Sequence, residues 1–148
     1  MNARIPIRVS VLGYLLMLVA LLCLIAFNSL LSPAPIVVIP QLIAIALMVW
    51  SRLTLRGRSF HPGANPTPGE LITSGPYRYT RNPIYLSVVI FVTPAVFAYP
   101  SYRSFALLLV LLLGVVVRVA TEEHLLSQQY PGFRAYCQST KRFIPFLF

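Results

Sequence analysis

The sequence predicts an all-α, polytopic membrane protein with about four transmembrane helices and a helical C-terminal cap on the cytoplasmic side. Three observations support this fold class. Of the 148 residues, 57% are hydrophobic and only 10% are charged, and the mean hydropathy is +0.77, which is too apolar for a soluble domain of this length. Four apolar segments are each close to the roughly 20 residues that a helix needs to cross about 30 Å of hydrocarbon. The basic residues lie between these segments, as expected of a membrane protein.

The four predicted spans cover residues 9–31, 36–55, 83–99 and 104–120 of one domain that occupies residues 1–148. A cytoplasmic loop, residues 56–82, separates the second span from the third, and a cytoplasmic tail follows the last span at residues 121–148. Only Ser32-Pro-Ala-Pro35 connects the first two spans, so we expect these two to pair as a tight hairpin. The first segment has the length of a retained span and lacks the small-residue cleavage site of a signal peptide.

The distribution of lysine and arginine predicts the orientation in the membrane. Of the 12 basic residues, only Arg103 lies between the last two spans, and the others lie before the first span, in the loop region or from Arg118 onward. The positive-inside rule therefore places both termini in the cytoplasm, and we expect a bacterial inner membrane. The formal charge of +9 does not indicate nucleic-acid binding, because the basic residues form no dense stripe on a polar surface.

An ionisable cluster follows the most apolar segment of the chain. Residues 106–117 read ALLLVLLLGVVV, and Arg118 and two of the three acidic residues, Glu122 and Glu123, come directly after them. Arg118 and Glu122 are four positions apart and therefore share a helix face. The alternative is an ordinary surface ion pair. The order Arg then Glu is the weaker one, however, and acids near a helix C-terminus oppose the dipole, so the cluster indicates a functional site.

Two polar elements lie on the cytoplasmic side of this cluster. The loop ends in LITSGPYRYTRNPIY, residues 71–85, where Gly75-Pro76 predicts a turn and Asn82-Pro83 predicts the start of a helix. Its tyrosines and arginines are also typical of interfacial anchors. In the tail, Pro131-Gly132 predicts a break, and Lys141-Arg142 before an apolar end is typical of a segment at the interface. We expect the tail to fold back over the loop.

The cysteines and histidines indicate neither a disulfide nor a metal site. Cys23 lies in the first span and Cys137 in the tail, at different levels of a reducing compartment. His61 and His124 are the only histidines, and neither has the second ligand that a metal site needs, since His124, which lies next to Glu123, is on a different helix face from Glu122. We expect both to be ordinary loop or interface residues.

The loop and the tail together resemble the isoprenylcysteine carboxyl methyltransferase and phospholipid methyltransferase family of integral membrane methyltransferases. The resemblance covers the chain from about Glu70 to Pro145 and depends on three pieces in the family's order. The loop is similar to the family's S-G-x-Y followed by R-H-P-x-Y, Arg118, Glu122 and Glu123 match R-x-x-x-E-E, and the tail ends in Arg-Phe-Ile-Pro145. Two departures are Asn82 at the family's usual histidine and a tail motif, Tyr-Pro-Gly-Phe-x-x-Tyr136, that is one residue shorter.

The resemblance implies S-adenosylmethionine as the methyl donor, without a Rossmann fold, and a lipophilic small molecule or lipid as the acceptor. It implies catalytic roles for Arg118, which would face the acceptor, and for Glu122, which would hold the cofactor. The implied cofactor-binding residues are Leu71, Ile72, Tyr77, Asn82, Pro83, Ile84, Tyr85, Glu122 and Glu123. It leaves open whether the acceptor is an isoprenylcysteine-like carboxylate or another lipid-like group, and it implies no oligomeric state.

Two other functions are compatible with these motifs. Membrane sterol or enone reductases that use NADPH carry a similar loop and a related tail, but they are generally larger than this chain. A non-catalytic membrane scaffold is the other alternative, and the asparagine at position 82 is the feature that favours it. Binding of S-adenosylmethionine or of NADPH discriminates among the three.

Overall fold

Helices account for nearly all of the regular secondary structure in the described part of the chain. The structure is a computed structural model that describes residues 4–55 and 71–143. These residues form α1 (Arg4–Ala26), α2 (Pro35–Leu55), a 3-10 helix (Gly75–Arg78), α3 (Pro83–Ala98), α4 (Tyr102–Gln129) and α5 (Phe133–Ser139). The predicted all-α fold class is confirmed. The first part of the predicted loop, with His61 and Glu70, and the end of the tail, with Pro145, lie outside the described residues.

The length of each helix determines how it can lie in a membrane. Within the described ranges, Arg8–Ala26 of α1, all of α2 and all of α4 are long and apolar enough to cross one. The helix α3 has 16 residues, which corresponds to about 24 Å. The helix α4 has 28 residues and is therefore about 42 Å long, well beyond the roughly 30 Å of hydrocarbon. It continues past the predicted span end at residue 120, so the whole ionisable cluster lies on one helix.

The helix α1 ends at Ala26 and not near residue 31, the predicted end of the first span, because the backbone reverses at Asn28. The φ angle of Asn28 is 51°, in the left-handed region that asparagine tolerates better than most residues. The Ser29 N–H donates to the Leu24 carbonyl and the Asn28 N–H to the Ile25 carbonyl, both at 2.9 Å. These two bonds form a Schellman motif, which satisfies the last carbonyls and ends the helix.

The expected tight hairpin of the first two spans is wrong, because α1 packs along α4 and α2 packs along α3. Gly13 and Gly114 explain the first pair. A Cβ on Gly13 would lie 2.9 Å from the Gly114 carbonyl oxygen, and a Cβ on Gly114 would lie 2.7 Å from the Gly13 carbonyl oxygen. Only glycines allow the backbones to approach this closely, which is a common basis of helix association in membranes. The crossing also brings α1 next to the backbone of Arg118.

The second helix pair places the loop at the same end of the molecule as the C-terminal half of α4. The 3-10 helix packs against α2, where Gly75 has a φ of +59° and an added Cβ would lie 2.5 Å from the Thr54 hydroxyl. Gln41 of α2 donates through Nε2 to the carbonyls of Leu30, at 2.7 Å, and Phe91, at 3.3 Å. These contacts join α2 to α3 and to the segment that connects α1 with α2.

The main buried apolar core lies where α3 meets the pair of α1 and α4. Its members are Met17, Ala20, Leu24, Leu30, Val92, Val96, Leu108, Leu111, Val115 and Val119. Outward-facing apolar residues such as Leu22, Leu42 and Leu109 are exposed, as expected of helix surfaces that face hydrocarbon. The polar residues of the candidate site lie at the end of this core.

Candidate active site

Arg118 is the centre of a buried polar cluster at the end of the apolar core. It is 6% exposed, and each of its three side-chain nitrogens has a partner. Nε donates to the Tyr85 hydroxyl at 2.8 Å, Nη1 donates to the Ser10 hydroxyl at 2.6 Å, and Nη2 lies 3.0 Å from Glu122 Oε1. A buried charge is costly unless it is paired and hydrogen-bonded, and these partners meet that requirement. We call Ser10, Tyr85, Arg118 and Glu122 the Arg118 cluster.

Tyr85 connects the two charged members of this cluster. Its hydroxyl accepts from Arg118 and donates to Glu122 Oε1 at 2.7 Å. Both contacts that Glu122 makes with described residues use Oε1, and its side chain is 25% exposed. The prediction that Arg118 and Glu122 share one helix face is confirmed. A guanidinium and a partly exposed carboxylate therefore lie side by side, and such a pair can recognise an anionic and a cationic group within one site.

The helix α1 contributes two residues to this site that sequence reasoning missed. Ser10 is fully buried against Arg118, and the guanidinium carbon lies 6.0 Å from the centre of the Tyr14 ring, within the range of a cation–π contact. The available signal was a serine one turn before Gly13 in an otherwise apolar segment. Nothing in the local pattern pairs this serine with Arg118, which lies 108 positions later.

Glu123 forms a second polar cluster with Arg81, Asn82 and Arg142, which we call the Glu123 cluster. Its Oε1 accepts from Arg81 Nε and Asn82 Nδ2, both at 3.1 Å. Its Oε2 accepts from Arg142 Nε at 3.0 Å and from Arg142 Nη2 at 2.7 Å. The side chains of Glu123 and Arg81 are only 10% and 12% exposed, so their charge-assisted bond is largely protected from water, whereas the Arg142 side chain is 44% exposed. One carboxylate thus joins the loop, α4 and the tail.

The tail folds back over the loop, as predicted. The Arg81 N–H donates to the Lys141 carbonyl at 2.9 Å, and Thr80 and Lys141 form an isolated parallel bridge. The Thr80 hydroxyl donates to the Arg142 carbonyl at 3.1 Å, and Arg81 Nη1 donates to the Thr140 carbonyl. Backbone and side-chain bonds therefore attach residues 140–142 to the loop.

Tyr77 lies in the 3-10 helix and contacts the tail. Its carbonyl accepts from the Tyr136 hydroxyl of α5 at 2.6 Å. Burial raises the pKa of Tyr136 to about 12, so this hydroxyl remains a donor at neutral pH. Burial and, to a lesser degree, the negative charge of Glu122 raise the pKa of Tyr77 above its usual value. Tyr77 is therefore within electrostatic reach of the Arg118 cluster and in contact with the tail.

The other residues that the sequence predicts for the cofactor site lie along the same loop. Asn82 is buried and also donates to the Arg142 carbonyl at 3.1 Å. Pro83 is the buried first residue of α3, and Ile84 follows it with partial exposure. Leu71 and Ile72 are half-buried and precede the 3-10 helix. The structure thus joins Asn82 to Glu123 and Tyr85 to Glu122.

Arg81 and Arg142 belong to the loop and tail motifs, but neither of them was given a role in the site from the sequence. Both are basic residues at a predicted membrane boundary, where the ordinary interpretation is an interfacial anchor. The signal that was available is the scarcity of acids, since the whole chain has three acidic and 12 basic residues. Two arginines that meet one carboxylate could be identified only after the fold had brought the loop and the tail together.

The comparison with protein-family models identifies the family of the chain. The model of the phospholipid methyltransferase family matches residues 36–132, well over half of the chain. The matched region contains nearly all of α2, the loop, α3 and α4, whereas α1 and α5 lie outside it. No curated protein and no solved structure matches the chain. On the family match, this integral membrane protein belongs to the phospholipid methyltransferase family.

Proposed function

We propose that this protein transfers a methyl group from S-adenosylmethionine to a lipophilic acceptor at the cytoplasmic face of a membrane. Membership of a methyltransferase family supports the reaction class. The Arg118 cluster is the observation that carries the proposal. It holds a buried guanidinium and a partly exposed carboxylate 3.0 Å apart on one face of α4, just beyond the apolar segment of that helix.

The side chains on the cytoplasmic side of the site suit a cationic cofactor. The side chain of Glu122 is a carboxylate that is 25% exposed. Tyr77 supplies an aromatic side chain whose pKa the charge of Glu122 helps to raise. When bound, S-adenosylmethionine supplies an already activated methyl group on a cationic sulfur. The proposed binding residues are Leu71, Ile72, Tyr77, Asn82, Pro83, Ile84, Tyr85, Glu122 and Glu123. Within this set, Asn82 and Glu123 act by holding the tail across the loop.

The residues of the Arg118 cluster then have complementary roles. Glu122 attracts positive charge, and Arg118 orients an anionic group of the acceptor. Tyr85 holds these two side chains next to each other, because its hydroxyl is hydrogen-bonded to both. A guanidinium can grip a carboxylate or a phosphate through two parallel hydrogen bonds. Holding two reactants in line at contact distance can supply much of the rate enhancement of such a transfer. The chain therefore acts mainly by positioning and by excluding water.

The acceptor is proposed to reach Arg118 from the bilayer. The helices around the cluster expose apolar side chains, among them Leu12, Leu109 and Val116, which suit a lipid tail better than a soluble metabolite. Arg118 favours an acceptor with an anionic group near the methylated atom, such as an isoprenylcysteine-like carboxylate or the headgroup of another lipid.

The proposed topology has four membrane spans and both termini in the cytoplasm. The distribution of basic residues supports this orientation, with only Arg103 on the opposite side. In this arrangement α3 is the shortest span, and Tyr99 and Tyr102 lie at its outer end, where tyrosine side chains are favourable. Residues 1–148 form one domain of a bacterial inner-membrane protein, and the loop, the end of α4 and the tail form its cytoplasmic cap.

Calorimetric titration of the detergent-purified protein with S-adenosylmethionine and S-adenosylhomocysteine tests this proposal. We expect micromolar binding that Glu122→Gln weakens at least tenfold, because the substitution removes the negative charge. A parallel titration with NADPH tests the reductase alternative. Binding of NADPH without binding of either sulfur compound would contradict the proposal, and binding of none of the three would leave a scaffold.

A further inference from the structure

The three nitrogens of Arg118 are held by three different helices. Tyr85, the partner of Nε, lies on α3, and Glu122, the partner of Nη2, lies on α4. Ser10, the partner of Nη1, lies on α1. The proposed function uses Tyr85 and Glu122, but it gives no role to Ser10, and from α1 it uses only the exposed apolar surface at Leu12. The family model, which matches residues 36–132, does not include α1.

The position of Ser10 depends on the close crossing of α1 and α4. Ser10 is fully buried and lies one turn before Gly13, the residue at which α1 approaches α4. A Cβ at position 13 would lie 3.1 Å from the Arg118 backbone nitrogen. Because the two backbones are so close, a short serine side chain reaches the guanidinium at 2.6 Å. The glycines and the serine therefore act together to bring a polar group to Arg118.

Two other buried serines of this protein, Ser51 and Ser87, donate to carbonyls of their own helices. The Ser51 hydroxyl donates to the Leu47 carbonyl, and the Ser87 hydroxyl donates to the Ile84 carbonyl, each at 2.6 Å and within its own helix. This is the usual way in which a serine is accommodated in an apolar helix. The Ser10 hydroxyl accepts from a charged group on another helix, and such bonds are stronger than those between neutral groups.

We propose that Ser10 is a positioning residue for methyl transfer, and that α1 is thereby part of the active site. By accepting from Nη1, Ser10 fixes the rotation of the guanidinium so that Nε and Nη2 stay directed at Tyr85 and Glu122. Without this contact the guanidinium can turn away from the orientation in which it holds the acceptor. This inference rests on the proposed function, since it concerns the orientation of the acceptor and not the binding of the cofactor.

The test compares Ser10→Ala with Ser10→Thr and with Ser51→Ala, a matched loss of a fully buried hydroxyl that donates within its own helix. With labelled S-adenosylmethionine and membrane lipid extract, we expect Ser10→Ala to lower kcat/KM for the acceptor about tenfold or more. We expect its affinity for S-adenosylmethionine to stay within about twofold of wild type. Ser10→Thr keeps the hydroxyl and should restore most of the loss, and Ser51→Ala should leave kcat/KM unchanged.

A double-variant cycle gives a readout that does not require turnover. The thermal midpoints of Ser10→Ala, Arg118→Lys and the double variant should be non-additive, because both substitutions remove the same contact. An unchanged kcat/KM in Ser10→Ala, a loss equal to that of Ser51→Ala, or strictly additive midpoints would overturn the inference. If the wild-type protein neither binds S-adenosylmethionine nor transfers methyl groups, the proposed function fails, and the cycle alone then decides whether Ser10 positions Arg118.

Discussion

Glu122 and Glu123 are adjacent in the sequence but have separate partners, because successive helix residues point about 100° apart. Glu122 turns toward Arg118 and Tyr85 at the end of the apolar core. Glu123 turns toward the loop and the tail, where it meets Arg81 and Arg142. One carboxylate is partly exposed beside a guanidinium, and the other is enclosed by its partners. These contacts show that Glu123 attaches the tail, and they support the proposal that Glu122 binds the ligand.

This division predicts different effects of two neighbouring substitutions. Glu123→Gln removes the charge that attaches Arg81 and Arg142, so we expect amide hydrogen exchange in α5 and in residues 140–143 to accelerate about tenfold or more. Glu122→Gln is the matched control and should leave exchange in the tail within about twofold of wild type. Equal acceleration in both variants, or none in Glu123→Gln, would show that Glu123 does not hold the tail.

At the scale of single residues, the sequence predicts contacts within a helix and misses contacts between elements. The pairing of Arg118 with Glu122 follows from their separation of four residues, and the structure has it. The contact of Ser10 with Arg118 spans 108 positions, and that of Arg142 with Glu123 depends on the path of the tail between them. Such contacts follow from helix packing and chain reversal, which residue spacing does not encode.

At the scale of the helices, Gly13 and Gly114 determine that α1 packs against α4. The short connection after α1 favours α2 as the neighbour, and this was the basis of the hairpin prediction. In hydrocarbon, however, helices gain by close van der Waals packing, and small residues permit it. The carbonyl of each glycine occupies the space that a Cβ of the other would need. This packing outweighs the short connection.

Replacing one of these glycines should therefore separate α1 from α4. Gly13→Ala places a Cβ 2.9 Å from the Gly114 carbonyl oxygen, and we expect it to destabilise the protein by about 1–3 kcal/mol. Gly132→Ala is the control, since a Cβ there would meet nothing within 4 Å. The thermal midpoints of both variants in detergent provide the measurement. If the two variants unfold at the same temperature as wild type, the glycine crossing does not stabilise the helix pair.

Helix ends were predictable only where a local signal marks them. The start of α3 at Pro83 follows from Asn82-Pro83, as the sequence indicates. The end of α1 depends on Asn28 in a left-handed conformation, a residue that the apolar pattern alone does not single out. The end of α4 at Gln129 lies beyond its apolar segment and just before Pro131-Gly132, the break that the sequence predicts. Hydropathy therefore predicts which segments enter the membrane better than it predicts where helices stop.

At the scale of the whole molecule, the polar clusters lie at one end of the helices and the apolar core fills the rest. Arg118, Glu122 and Glu123 belong to the C-terminal half of α4, and the loop and tail meet them there. Arg103 lies at the opposite end of α4, near Phe27 at the end of α1. This separation agrees with a single cytoplasmic cap. It also accounts for the uneven distribution of basic residues along the chain.

Site-specific labelling tests this orientation. In a variant without Cys23 and Cys137, a cysteine at exposed Arg103 should react with a membrane-impermeant thiol reagent in intact cells. A cysteine at exposed Ser127, near the other end of α4, should react only after the cells are disrupted. The reverse pattern would place the cap outside the cytoplasm, and labelling of both sites in intact cells would contradict a membrane-spanning α4.

Transfer of a labelled methyl group from S-adenosylmethionine into membrane lipid extract tests the central claim most directly. The wild-type protein should give a labelled, organic-soluble product. Arg118→Lys and Glu122→Gln should each remain folded but lower the rate at least a hundredfold. Arg118→Lys removes the planar guanidinium with its paired donors, and Glu122→Gln removes the negative charge. Gly132→Ala should transfer at the wild-type rate. Transfer by Arg118→Lys and Glu122→Gln at the wild-type rate would contradict the assignment of the active site to this cluster.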